Sequence, residues 1–166
     1  MAEVRIIEIP AHIVYTAEYD VDSLNDFFNP ETGENILYDL QYLMEDENPD
    51  VHVPEDGEDY NYFDFPFPDS NGKKRVVYHD MVDTAGKDNP DGKYRFQEVP
   101  EVTAAALMYK GPYDSIGDGF DRVLEWIEAN GYVQSGIARA SAVNGPWDRD
   151  DEADYVTECQ VPVVKR

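Results

Sequence analysis

Alternating apolar and polar residues dominate the chain, and one such pattern occurs twice. RIIEIPAHIVYTAEY (5–19) aligns with RFQEVPEVTAAALMY (95–109) at a fixed offset: Arg5 with Arg95, Glu8 with Glu98, Pro10 with Pro100, Tyr19 with Tyr109. Period-two alternation predicts strands. A proline at each junction removes a ladder donor and ends the first strand of its pair. The period then changes. Ile116, Phe120, Val123, Leu124 and Ile127 recur at helical spacing, with Asp114 or Ser115 as cap and Gly131 as stop. Ile36, Leu37, Leu40, Leu43 and Met44 form a similar stripe that ends before Asn48-Pro49-Asp50. Residues 26–33, with a proline and a glycine, predict a loop or short helical turn.

Each half closes with two further predicted strands: 60–67 and 73–82 in the first, 132–143 and 153–164 in the second. The last contains YVTECQVPV (155–163), in which Pro162 is expected to end the run. The pattern predicts one domain over 1–166, with pseudo-repeats of about 3–83 and 92–164. The expected architecture is α+β: duplicated βαββ units forming one antiparallel sheet, two helices on one face, and a central groove on the other.

Charge narrows the function classes. Thirty-six acidic residues against 13 basic ones give a formal charge of −23. A phosphate backbone is bound through Lys and Arg, so nucleic acid is not an expected partner, and neither is an anionic membrane surface. Cationic ligands or basic protein surfaces fit better. Cys159 stands alone, and His12, His52 and His79 lack metal spacing, so neither a disulfide nor a metal or other cofactor is expected. MAEVRIIEIP has neither the basic start nor the apolar stretch of a secretion signal, and a cytoplasmic location is expected.

YKGPYDSIGDGFDRVLEWIEANGY, followed by YVTECQVPV, resembles the GyrI-like small-molecule-binding family. This domain is also the effector-binding module of some AraC-type and MerR-type regulators. The matching pieces are Lys110-Gly111-Pro112-Tyr113, the helix ending at Asn130-Gly131-Tyr132, and the strand with Thr157, Glu158 and Pro162. The resemblance covers 92–164 best and 3–83 more weakly. It implies a groove for bulky, often cationic, aromatic compounds, as in multidrug-binding relatives. It also implies that the glutamate of the last strand, here Glu158, is the counter-charge. Some relatives hydrolyse strained electrophilic rings. Where relatives often carry a tyrosine or a glutamate–tyrosine pair on the third strand of the second unit, this chain has Arg139 and Ser141.

Glu158 shares a strand face with Val156 and Gln160, while Tyr155, Thr157, Cys159 and Val161 lie opposite. A pocket carboxylate must pair, accept hydrogen bonds or change its pKa, and a ligand cation would supply the pairing. The alternative is a solvated Glu158, or one paired with Arg139. Tyr109, Tyr19, Tyr78 and Tyr15 are candidate ligand residues, because rings attract cations. Tyr78 is expected opposite the position equivalent to Glu158. Trp147 is a candidate lid, and Trp126 a half-buried packing residue or a contact with another chain. His79 and Asp80, adjacent on a strand, should face opposite ways. The expected function is ligand binding for sequestration or sensing. The alternatives are hydrolysis of an electrophilic toxin with Glu158 as general base, and an acidic interaction or DNA-mimic module that docks a basic protein such as gyrase.

Overall fold

The computed structural model describes residues 3–27, 36–54, 60–146 and 148–166. Among them lie ten strands, paired antiparallel, and two α-helices, so the chain is α+β. In order these are β1 (Arg5–Ile9), β2 (His12–Val21), α1 (Ile36–Glu47), β3 (Asn61–Phe65), β4 (Asp69–Ser70) and β5 (Lys73–Val82). Then come β6 (Arg95–Val99), β7 (Val102–Lys110), α2 (Ile116–Ala129), β8 (Tyr132–Gln134), β9 (Ala138–Asn144) and β10 (Val156–Lys165). No described helix is long and apolar enough to cross a membrane.

The chain forms two compact units. One holds residues 1–10, 63–66 and 101–166; the other holds 11–62 and 67–100. The division crosses the sequence repeat. β1 pairs with β7, and β6 pairs with β2, so the first strand of each sequence copy joins the second strand of the other copy. The junctions explain why neighbours do not close into hairpins. A two-residue hairpin needs a positive φ at its turn, and Pro10-Ala11 and Pro100-Glu101 cannot readily provide one.

In the first unit, β7 lies between β1 and β10, and β10 lies between β7 and β9. Phe63 to Phe65 of β3 pair with β9. One face of these strands carries α2. A Cβ on Gly119 would come within 2.9 Å of the Cys159 sulfur and 3.0 Å of the Tyr109 Cβ, so only glycine allows this close approach without a shift. Phe65 stacks on Phe120 with ring centroids 4.0 Å apart. Ile116, Phe120, Val123 and Ile127 are buried as their spacing predicts, but Leu124 is exposed. The apolar stripe of α2 is thus one position narrower than expected. Trp126 packs flat on Tyr132, a packing role. Ser115 is the N-cap residue, but its hydroxyl does not cap; it bonds to Tyr109 and to the Pro112 carbonyl instead.

β10 differs from its predicted form. It runs through Pro162 to Lys165. Pro162 marks a change of partner: β9 pairs with β10 from Val156 to Gln160, and β8 pairs from Val163 onward. The predicted strand 132–143 is accordingly split, and Ser135 donates its backbone N–H to the Pro162 carbonyl at the break.

In the second unit β2 lies between β5 and β6, and β4 extends the edge of β5. Tyr15 is fully buried and meets Tyr94 edge-on, and Tyr94 bonds to Glu47 and Asn48 at the end of α1. The odd-numbered face of β2 therefore looks toward α1. Of the predicted loop at 26–33, Asp26 and Phe27 lie in a 3₁₀ turn, Leu24–Phe27, and 28–33 fall outside the described residues.

Candidate functional site

Glu158 occupies the middle of β10, opposite Met108 on β7 and Ser141 on β9. Its neighbour Cys159 lies beneath α2, so alternation places Glu158 on the face away from that helix. Strands flank it on both sides and leave its side chain only 13% exposed. Both carboxylate oxygens accept hydrogen bonds. Arg5 of β1 donates from Nη2 to Oε2 at 3.0 Å, and Gln160 donates from Nε2 to Oε1 at 2.6 Å. The pairing partner is thus Arg5, a residue 153 positions away in the chain. Sequence reasoning weighed only Arg139 for this role. Arg139 is buried, and it sits opposite Gln160 and Asp64 in the register of β9.

The candidate tyrosines take other places. Tyr109 lies on the α2 side, where its hydroxyl and that of Ser115 are 2.7 Å apart. It and Glu158 project from opposite faces. Tyr19 meets Phe27 edge-on, and burial, helped by Asp39 of α1, pushes its hydroxyl up to about 12. Tyr15 donates to Asp80 at 2.8 Å. Tyr78 pairs with Ala17, on the same α1-facing side as Tyr15 and Tyr19. The registers also correct one expectation. Leu107 pairs with Cys159 and its repeat equivalent Ala17 pairs with Tyr78, so Tyr78 corresponds to Cys159, and Val77 corresponds to Glu158. Trp147 lies outside the described residues.

The other face of the second unit holds a polar cluster that the sequence did not reveal. The Thr16 hydroxyl is 2.8 Å from His79 Nδ1 and accepts from Gln97 at 3.1 Å. The His79 ring lies 4.9 Å from Tyr62, and the Tyr62 hydroxyl is 3.1 Å from His12 Nε2. His12, Thr16, Tyr62 and His79 are all buried. His79 and Asp80 do face opposite ways, toward Thr16 and Tyr15 respectively. A shallow cleft of about 490 Å³ opens beside this cluster, lined by Ala11, His12, Ile13, Glu98, Val99 and Pro100. Among the described residues no group of three His, Cys, Asp or Glu side chains is placed to hold a metal. Burial pushes the Cys159 thiol up to about 12, which makes it a poor nucleophile.

Residues 58–164 match the GyrI-like small molecule binding domain. The chain belongs to this family. Its fold is similar to the C-terminal domain of EcmrR, with a TM-score of 0.79, 26% identity, and coverage of 100% of this chain and 99% of that one. A hydrolase from Listeria innocua shares the fold at a TM-score of 0.63 and 13% identity, with 98% and 92% of the two chains covered. So does SAV2435 bound to tetraphenylphosphonium, at a TM-score of 0.51 and 14% identity, over 98% of this chain and 94% of that one. No curated protein sequence matches the chain. In this GyrI-like domain Glu158 forms an ion pair with Arg5, on the face opposite α2.

Proposed function

We propose that this GyrI-like domain binds a bulky aromatic cation for sequestration or sensing. The ligand lies on the face of the first unit away from α2, with Glu158 as counter-charge. The observation that carries this reading is the state of Glu158: a largely shielded carboxylate, already bound to a guanidinium, on a face not covered by its helix. A shielded carboxylate without a cation is costly, so the site selects for positive charge. Met108 and Ser141 are its cross-strand neighbours on that face. A relative of the same fold carries tetraphenylphosphonium, a cation of this class. The hydrolytic reading has weaker support. A general base must face a water, and the two oxygens of Glu158 face Arg5 and Gln160 instead.

A thermal-shift comparison of tetraphenylphosphonium with tetraphenylborate tests the proposal, because the two ions share a shape and differ in charge. The phosphonium should raise the melting temperature and the borate should not. The shift should vanish in Glu158→Gln. Equal shifts from both ions, or an undiminished shift in the variant, would sink the proposal.

A further inference from the structure

The cation now bound to Glu158 belongs to the protein itself. Arg5 lies on β1, which among the described residues of this unit pairs only with β7, and Arg5 is 52% exposed while Glu158 is 13% exposed. The two halves of the pair therefore differ in exposure and in how they are held. Glu158 is fixed by strands on both sides and by Gln160, whereas Arg5 reaches it from an outer strand by a long, flexible side chain. An exposed arginine leaves such a contact at little cost, but a shielded carboxylate is poorly served without a replacement.

We propose that the Arg5 guanidinium is a tethered stand-in for the ligand's cationic head, so that a ligand binds by displacing it from Glu158 Oε2. This rests on the reading of Glu158 as the counter-charge. It adds a regulatory contact and a ligand class. The position Arg5 vacates receives one N–H at 3.0 Å, and the neighbouring oxygen already accepts from Gln160. A planar cation with N–H donors, an amidinium or guanidinium on an aromatic body, reproduces that hydrogen bond. A quaternary cation supplies charge alone. Arg5 also lowers the apparent affinity for every cation by the fraction of time it occupies the site.

The probes are the fluorescent aromatic diamidine 4′,6-diamidino-2-phenylindole and tetraphenylphosphonium. Each is titrated into the parent chain, Arg5→Gln, Arg5→Lys and Glu158→Gln. Arg5→Gln should bind both probes roughly five- to tenfold more tightly, the advantage expected from removing a competitor that holds a partly shielded pair. Its melting temperature without ligand reports whether it is folded. Arg5→Lys keeps the charge without the planar head and should fall between the two. The diamidine should bind more tightly than the phosphonium. Unchanged or weaker binding in folded Arg5→Gln, with binding still lost in Glu158→Gln, would overturn the stand-in role and leave the counter-charge intact. A phosphonium preference would overturn the ligand class. Parent-like binding in Glu158→Gln, or no binding of either probe to the parent and Arg5→Gln, would overturn both the inference and the function beneath it.

Discussion

The two units carry repeat-related arginines, and each arginine meets a glutamate, but the two pairs are built differently. In the first unit Arg5 reaches Glu158 on β10, at 3.0 Å from a side chain 13% exposed. In the second, Arg95 reaches Glu18 on β2 at 3.6 Å, and Glu18 is 43% exposed and also lies 3.9 Å from Arg75. The repeat equivalent of Glu158 is Val77, and that of Glu18 is Met108. The carboxylate has thus changed strands between the copies. Its surroundings have changed with it. Beside Glu158 lies Gln160, which donates to it; in the equivalent place beside Val77 lies His79, bound to Thr16. One unit has a shielded charge with an exposed partner; on the corresponding face the other has a buried polar network, and its Arg95–Glu18 pair lies at the surface. Shielding decides which pair has leverage. An exposed pair contributes about 0–1 kcal/mol and is screened by salt, whereas a shielded carboxylate demands a cation.

That contrast can be broken in several ways. The largest expected effect on stability is at Tyr15, whose hydroxyl donates to buried Asp80. Tyr15→Phe should cost about 1–3 kcal/mol in urea denaturation. Tyr109→Phe, at a helix-side tyrosine of the first unit, loses only a half-buried bond to Ser115 and should cost about 0.5–1.5 kcal/mol. Equal costs would mean the two helix-side faces are not as different as their burial implies. Gly119→Ala tests the assignment of faces itself. The new methyl would meet the Cys159 sulfur at 2.9 Å, so a loss of about 1–3 kcal/mol is expected despite the better helix propensity of alanine. A stabilised Gly119→Ala would place Cys159, and with it Glu158, on the wrong sides.

The smallest effect concerns pH. Hydrogen bonds from Tyr94 and Asn89 hold the Glu47 carboxyl below its ordinary value of 4.5. A depressed pKa in the folded chain means that this stabilisation is present above 4.5 and is lost as pH falls through the lowered value. Melting temperature should therefore decline less steeply on acidification in Glu47→Gln than in the parent. A steeper decline in the variant would reverse the sign of the coupling.

Much of the fold could be read from the sequence, because strand alternation and helix spacing are local. Both helices follow the apolar stripes that predict them, and the paired prolines mark the strand junctions. The exchange of β1 and β6 could not be read, since a proline junction says where a strand ends and not which strand it pairs with next. The same gap hid Arg5: its contact with Glu158 depends on a pairing between β1 and β7 rather than between neighbours. Alternation along β10 gave the face of Glu158 correctly. It could not show that Tyr109 belongs to the opposite face, because that depends on the register of Thr157 against Tyr109. The buried cluster of His12, Tyr62 and His79 was equally hidden, as its members come from three strands that carry no motif.

The most direct test of the central claim sets the two glutamates against each other. The shift in melting temperature produced by tetraphenylphosphonium is measured in Glu158→Gln and Glu18→Gln, each of which removes one negative charge. If the shielded carboxylate is the counter-charge, Glu18→Gln keeps the parental shift and Glu158→Gln loses it. Equal retention in both variants would contradict the account, and would attribute cation binding to the acidic surface as a whole.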